Sequence, residues 1–420
     1  MFSLNFLKNA SFFSGSAFFL LLNACFLENP AKETEEPSEL EYNYWLLDEL
    51  YYFDSLPELS GICSTKDLYD KLEDPWTLYF PKEEASTVEE SINTSFIPGS
   101  IGIELYKNTK EKFPLFIYRI YENSPAFKQK VPKNANLLSI NHYSLAGENA
   151  PDIYQEIFEQ ADSVILKYVY AGDTSEAHLK KEKLLTPTVF LDTLSDLHFL
   201  ITIRSFTKIT SHPDGTVGEL KAILEKIETT ENPVIIDIRN NPGGFVLQCK
   251  ASADLFIDKG ILFQIQENQL FSDGKARKNT RILKSSDDFF FDKPLFVFSN
   301  EKTGSCAELF ELALITNNTK VETFGTTTFG KGVGQSIYQT KEGGRAHITS
   351  MLFFDKNGKT YHNKGIFPKI PCDNADYNCF SKILQKITGN KILTKKQNPF
   401  LTDSVILIPP LFGGALFTEE

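Results

Sequence analysis

The chain is poor in the residues that several common chemistries require. Its six histidines (His142, His178, His198, His212, His347 and His362) are scattered. None forms the His-Glu-x-x-His pattern that sets two zinc ligands on one helical face. The six cysteines show no zinc-site spacing either. Positive charge is in deficit: 43 Lys and Arg stand against 55 Asp and Glu, a formal net charge of −12. An acidic surface argues against nucleic acid as a partner and offers no basic patch to a membrane surface. The apolar stretch near the N-terminus is too short to span a bilayer, which takes about 20 apolar residues. No internal repeat or low-complexity run stands out.

What is present fits a multidomain globular protein. At 420 residues, two or three domains are expected. Hydrophobic content of 41% and charged content of 23% are ordinary for such a chain. The first 24 residues read as a targeting segment, with Lys8 followed by an apolar stretch that ends Ala17-Phe18-Phe19-Leu20-Leu21-Leu22. Next comes Leu22-Asn23-Ala24-Cys25, which resembles a bacterial lipoprotein box. That resemblance implies cleavage before Cys25, lipid attachment to its sulfur, and a place on the periplasmic face of a bacterial membrane. The plainer alternative is a secretory signal with a chance cysteine. Residues 25–40 are Glu- and Pro-rich and read as a flexible tether. Export permits disulfides, and Cys372 and Cys379, which flank a short polar loop, form the candidate pair.

Further along, residues 41–93 carry the spacing of short helices, with Tyr44, Leu47 and Tyr51 on one face. Residues 94–180 read as β-rich: Phe116–Ile120, Leu137–Asn141 and Val164–Val169 are strands, and a helix follows Pro151 with Ile153, Ile157 and Phe158 inward. From 181 to 390 strands alternate with helices, the signature of an α/β layer with a parallel sheet. Phe199–Ile203, Val234–Ile238 and Leu295–Phe298 are the strands; Glu219–Glu228, Cys249–Phe256 and Ala307–Leu314 are the helices. Residues 391–420 form an extension with an apolar stretch, Val405–Phe412. It has three possible roles: packing on the core, an oligomer contact, or imitation of a substrate tail.

Three segments of the α/β region carry chemistry. Asn300-Glu301-Lys302-Thr303-Gly304-Ser305-Cys306-Ala307-Glu308 sets a serine among small residues before an apolar helix. Thr328-Phe329-Gly330-Lys331-Gly332-Val333-Gly334-Gln335 sets a lysine between glycines. Val234–Ile238 runs into Arg239-Asn240-Asn241-Pro242-Gly243-Gly244, a turn whose backbone N–H groups approach a ligand unobstructed. A serine hydroxyl is a poor nucleophile until a base takes its proton. Lysine serves as that base only when desolvation keeps it neutral near pH 7. Taken singly, Ser305 reads as a helix N-cap and Lys331 as a solvated loop residue. Ser305 is not framed by Gly-x-Ser-x-Gly, which argues against a nucleophile elbow, and Ser305-Cys306-Ala307-Glu308 is not Ser-x-x-Lys.

In this order and spacing the segments resemble the C-terminal processing (tail-specific) serine protease family. Asp74-Pro75-Trp76-Thr77-Leu78-Tyr79-Phe80 resembles its N-terminal helical segment, and Tyr361–Pro368 resembles its late strand-and-turn signature. The resemblance implies a spiral α/β core like those of Clp proteases and crotonases, preceded by an N-terminal helical segment and a PDZ-like domain. It implies a serine endopeptidase with Ser305 as nucleophile, Lys331 as base and Gln335 orienting the lysine. Gly243, Gly244 and Cys306 would supply oxyanion-hole N–H groups. Gly99, Ser100, Ile101, Gly102 and Ile103 would form the PDZ-like groove, which takes polypeptide substrates by apolar C-terminal tails. No metal or cofactor is implied. One departure is Asn134-Ala135-Asn136, where the PDZ pattern has Gly-Asp. The alternatives are a catalytically silent periplasmic scaffold or ligand-binding protein, which the intact Ser305 and Lys331 oppose, and a crotonase-like acyl-CoA enzyme, which the export signal opposes.

Overall fold

The computed structural model describes residues 36–372 except 54, 196, 197, 287 and 288, together with 383, 387 and the backbone of 405–408. The targeting segment, Cys25 and Cys379 lie outside the described residues.

The first helix, α1 (Glu39–Leu50), starts in a capping box in which the Ser38 side chain and Glu41 satisfy each other's backbone N–H. Leu46, Leu47 and Leu50 are its buried face, while Tyr51 is the residue that caps it. A short α2 (Thr65–Asp70), strand β1 (Leu78–Phe80) and α3 (Lys82–Asn93) follow. Tyr69 of α2 donates its hydroxyl to the buried Asn43 of α1 at 3.0 Å, which fixes the two helices.

The β-rich unit is entered and left by a two-stranded ribbon, β2 (Phe96–Ser100) against β9 (Glu182–Leu185). Between them lie β3 (Ile103–Asn108), β4 (Leu115–Ile120), α4 (Pro125–Lys128), β5 (Asn136–Ile140), β6 (Tyr143–Ser144), α5 (Ala150–Gln160), β7 (Ser163–Tyr170) and β8 (Asp173–Lys180). Buried Leu115, Ile117, Leu137, Ile140 and Leu166 meet Ala150 and Tyr154 of α5 in one core, with Ile153, Ile157 and Phe158 packed against it.

The α/β unit begins with β10 (Val189–Ser195), β11 (His198–Ile203), α6 (Gly215–Lys226) and β12 (Val234–Asp237). It continues through α7 (Val246–Asp254), β13 (Ile261–Leu270), β14 (Ala276–Lys284), β15 (Leu295–Ser299), α8 (Cys306–Asn317) and β16 (Val321–Gly325). Then come β17 (Val333–Gln339), β18 (Arg345–Phe354), β19 (Ile370–Pro371) and, later, β20 (Val405–Ile408). A mixed sheet runs β10-β11-β12-β15-β16-β19, parallel throughout except for β10 against β11. Every residue of β12 is buried, as a strand covered on both faces requires. A second, antiparallel sheet joins β1-β18-β13-β14, with β17 also on β18. Its pairing of Leu78 with His347 brings the N-terminal segment onto the α/β unit. α1 and α2 cover Ala346 and Ile348 of that sheet.

The helix α8 is apolar nearly all round, which suits a helix buried between layers. Leu309, Phe310, Ala313 and Leu314 are fully buried, and so are Glu308 and Glu311. Phe310 meets Phe206 and Phe256 at centroid distances of 5.4 and 6.1 Å. The helices expected at Glu219–Glu228 and Ala307–Leu314 each begin earlier in the structure, because Gly215 and Ser305 take positive φ and turn the chain into the helix. Replacing Phe310 by Ala is expected to lower the unfolding free energy by about 3–5 kcal/mol, measured by urea unfolding of the full chain.

Candidate active site

Parallel strands β12 and β15 lie side by side, so the turns leaving their carboxyl ends meet. That is where sites form in open α/β sheets. The two turns are stitched together. Asn240 donates its backbone N–H to Asn300 Oδ1 at 2.9 Å, and Asn300 Nδ2 donates to Asn240 Oδ1 at 3.0 Å. Thr303 Oγ1 donates to the Ile238 carbonyl, and the Gly304 N–H donates to the Asn241 carbonyl, both at 2.9 Å. Gly243 must be glycine here: its φ is +101°, and a Cβ would fall 2.7 Å from Cys306 N and 2.9 Å from Ser305 Cβ. The turn therefore rests directly on the serine.

Ser305 opens α8 with φ 56° and ψ −120°. Non-glycine residues rarely adopt such a backbone, which costs on the order of 1–3 kcal/mol and occurs preferentially at functional sites. The sequence lacks the elbow motif, yet the serine still sits on a strained turn into a helix. What holds it is Glu308, one turn along α8 and fully buried. Its carboxylate accepts from four donors: the Ser305 N–H (2.8 Å), the Lys331 N–H (2.9 Å), the Gly330 N–H (2.6 Å) and Thr328 Oγ1 (2.6 Å). One side chain thus fixes the serine turn and the lysine turn to each other. Burial pushes the Glu308 carboxyl up, and these hydrogen bonds pull against it.

The lysine turn connects β16 to β17. It is pinned by the Phe329 N–H to the Thr303 carbonyl (2.9 Å) and by the Asn363 N–H to the Gly330 carbonyl (2.8 Å). Gly330 has φ +93°, and a Cβ there would meet Gly365 N at 2.9 Å. The Lys331 ammonium lies 4.0 Å from the centroid of Trp76, a residue of the segment preceding β1. Burial brings its pKa down to about 8, while the charges of Asp74 and Glu308 act the other way. His347, buried and near both Lys331 and Arg345, is pushed down to about 4 and is neutral. Glu311 is pushed up to about 8 by burial, and accepts a hydrogen bond from Ser299 Oγ at 3.2 Å. Tyr361 donates its hydroxyl to the Ser305 carbonyl at 3.3 Å.

The other expected site residues fall as follows. Gln335 lies at a bulge in β17, and its Nε2 donates to Thr349 Oγ1 at 3.2 Å. Among the described residues, Lys331 Nζ makes no hydrogen bond to Ser305 Oγ or to Gln335. The Gly243 N–H is already taken by Asn241 Oδ1 at 2.9 Å. The N–H groups of Gly244 and Cys306 have no acceptor among the described residues. Gly99 and Ser100 lie in β2 rather than in a free loop, and Ser100 Oγ accepts the Gly102 N–H at 3.0 Å. Ile101 and Ile103 are buried. Cys372 is disulfide-bonded. His362 packs against Phe53, with ring centroids 6.2 Å apart. Among the described residues no group of His, Cys, Asp or Glu could hold a metal, and no helix is long and apolar enough to cross a membrane.

The sequence reading missed a covalent feature: Cys306 is joined to Cys249 of α7 by a disulfide, with Cα atoms 5.9 Å apart. The bond is buried and ties the helix that follows the Gly243–Gly244 turn to the first residue of the helix that follows Ser305. It also missed Trp76, Glu308 and Tyr361 as neighbours of the site. The available signal was that all three lie in the segments carrying the family resemblance.

The family model for Peptidase family S41 matches residues 200–372. A protein of Staphylococcus saprophyticus described as a CtpA-like serine protease is 26% identical over 356 residues, covering 84% of this chain and 68% of its own. A relative of the same description from Staphylococcus aureus is 25% identical over 352 residues, covering 82% of this chain and 66% of its own. The chain thus spans about two thirds of the length of these relatives. A crystal structure described as an S41 protease from Bacteroides fragilis superposes with a TM-score of 0.58 at 12% identity, covering 86% of this chain and 99% of that one. That likeness establishes a shared mixed α/β fold.

Cys249→Ala is expected to leave the chain folded but less stable by about 2–5 kcal/mol. Thermal melting checks the loss, and non-reducing peptide mapping of the parent should recover Cys249 linked to Cys306.

Proposed function

We propose that this chain is a serine endopeptidase in which Ser305 is the nucleophile and Lys331 the base. The observation that supports it most is the Glu308 carboxylate, which joins the backbone of Ser305 to that of Lys331 while burial depresses the lysine pKa. The S41 match and the CtpA-like relatives point the same way.

In this reading the arrangement with Lys331 on Trp76 is a resting one. Substrate brings the lysine amine to Ser305 Oγ, and Gln335 orients it. Neutral Lys331 takes the Ser305 proton as Oγ attacks the peptide carbonyl carbon. The Gly244 and Cys306 N–H groups, which have no other acceptor among the described residues, receive the developing oxyanion. Removing one such donor typically costs roughly 2.7–4 kcal/mol of transition-state stabilisation. Lys331 returns the proton to the leaving amine, and an acyl-Ser305 remains. A water then gives a proton to Lys331 and attacks the acyl carbonyl, which releases the new carboxyl end and restores Ser305. The chain's own groups supply each proton transfer.

The β-rich unit, read as PDZ-like, would take the substrate's apolar tail as an added strand. Lipidation at Cys25 would hold the protein on the periplasmic face of a membrane.

The test is cleavage of an unfolded reporter with an apolar C-terminal tail. Ser305→Ala and Lys331→Ala are each expected to lower kcat/KM at least about a thousandfold while leaving the melting profile intact. A wild type inert on tailed and untailed reporters alike would leave the scaffold reading standing, and undiminished cleavage by Ser305→Ala would require another nucleophile.

The sign of the pH dependence follows from Lys331. A base that ionises at about 8 is mostly protonated at pH 7. The value of kcat/KM should therefore rise with pH through a midpoint near 8, since that parameter reports the free enzyme. Asp74 favours the ammonium form, so Asp74→Asn should move the midpoint to lower pH, measured from initial rates between about pH 6 and 10.

A further inference from the structure

The apolar stretch near the end of the sequence has a defined place. Val405–Ile408 forms β20, antiparallel to β3, with Val405 opposite Asn108, Ile406 opposite Lys107, Leu407 opposite Tyr106 and Ile408 opposite Leu105. The sheet runs β20-β3-β4-β5-β7-β8, so β20 is its outer strand and β3 would be the edge without it. An uncovered edge strand presents a row of unpaired backbone N–H and C=O groups, and an extended peptide can add there.

Direction matters as much as position. β20 enters opposite Asn108 and leaves opposite Leu105, so it runs toward Ile103 and the Ile101–Gly102 turn that joins β2 to β3. A substrate tail whose end lay at that turn would run the same way along the same strand. Segment and tail therefore cannot occupy β3 together. The sequence limits the contact: Val405-Ile406-Leu407-Ile408 favours a strand, while Pro409 and Pro410 have no N–H with which to extend the ladder. Pairing over four residues is short enough to open without unfolding the unit.

The edge is also wired to the α/β unit. Glu104, next to the Leu105 that pairs with Ile408, is buried and accepts from Arg204 at 2.6 Å, from Arg119 at 3.4 Å and from the Tyr121 hydroxyl. Arg204 directly follows β11, and Arg119 pairs in addition with Asp192 of β10. Occupation of β3 thus takes place one residue from an ion network shared with the sheet that carries the Ser305 turn.

We propose that Val405–Ile408 is an internal ligand of the β3 edge, held where a substrate's apolar tail would dock, so that docking requires its displacement. This rests on the protease reading for its consequence, but the occupancy itself is testable without cleavage. A tail binding a site that is open only part of the time shows an affinity reduced by the open fraction.

The experiment uses the full chain carrying Ser305→Ala, and a fluorescein-labelled peptide ending in Val-Ile-Leu, followed by anisotropy. Ile406→Pro and Leu407→Pro are each added to that chain. Along an antiparallel pair, successive N–H groups point alternately toward and away from the partner strand, so one of the two prolines removes a bond to β3. That variant is expected to bind the peptide at least fivefold more tightly, and those amides between Leu105 and Lys107 that face β20 should exchange faster in the absence of peptide, while the Asn108 amide, bonded to the Pro114 carbonyl, should not. Equal affinities in the parent and both variants, or no binding by any of the three, would overturn the proposal. Melting curves confirm that each variant is folded. If binding tightens but the chain with Ser305 intact cuts nothing, the internal ligand stands and the protease reading fails. If the chain cuts tailed reporters and binding does not change, the reverse holds.

Discussion

Four donors converge on the carboxylate of Glu308, and the rest of the site is organised around that convergence. Two of the donors are the backbone N–H groups of Ser305 and Lys331, which come from loops at opposite ends of α8 and β16. A buried carboxylate is tolerated only when its oxygens are satisfied, and here both are. The constraint works in both directions. The carboxylate needs both turns in place to be buried, and the two turns need the carboxylate to face each other. Serine strain and lysine position are thereby set by one group that has no sequence motif of its own beyond its place three residues after Ser305.

Around this centre, each layer of the fold contributes a restraint of a different kind. The mixed sheet brings the turns after β12 and β15 together through its parallel register. The Cys249–Cys306 disulfide holds their two following helices covalently. The antiparallel sheet carries β1 and with it Trp76, whose ring faces the Lys331 ammonium. Burial of that ammonium depresses its pKa more than Asp74 and Glu308 restore it. A lysine that ionises at about 8 is thus held against a ring from a segment some 250 residues earlier in the chain.

The β-rich unit is joined to the α/β unit by a ribbon, by a small apolar cluster of Ile97, Tyr121 and Phe190, and by a buried ion network. Glu104, Arg119, Asp192 and Arg204 are expensive to bury unless each is paired, and here two of the pairs, Arg119 with Asp192 and Arg204 with Glu104, cross between the two units. Phe190 lies under both guanidinium groups, 4.4 and 4.5 Å from its centroid. Such a junction is specific in geometry, and it sits beside the β3 edge on which β20 closes.

The sequence by itself determined the local features. The β-branched run Val234–Ile236 made a buried parallel strand, the Asn-Asn-Pro-Gly-Gly run made its turn, and the alternation after residue 188 made a mixed α/β layer, because periodicity and turn chemistry act over a few residues. The serine and lysine segments were legible for the same reason, each being defined by its immediate neighbours. Only the tertiary structure decided which distant groups meet. It paired Cys306 with Cys249 across 57 residues, laid Trp76 on Lys331, gave the Gly243 N–H to Asn241, and set Val405–Ile408 on β3. Those contacts depend on the relative placement of whole sheets, and no periodicity or spacing within a single segment encodes it.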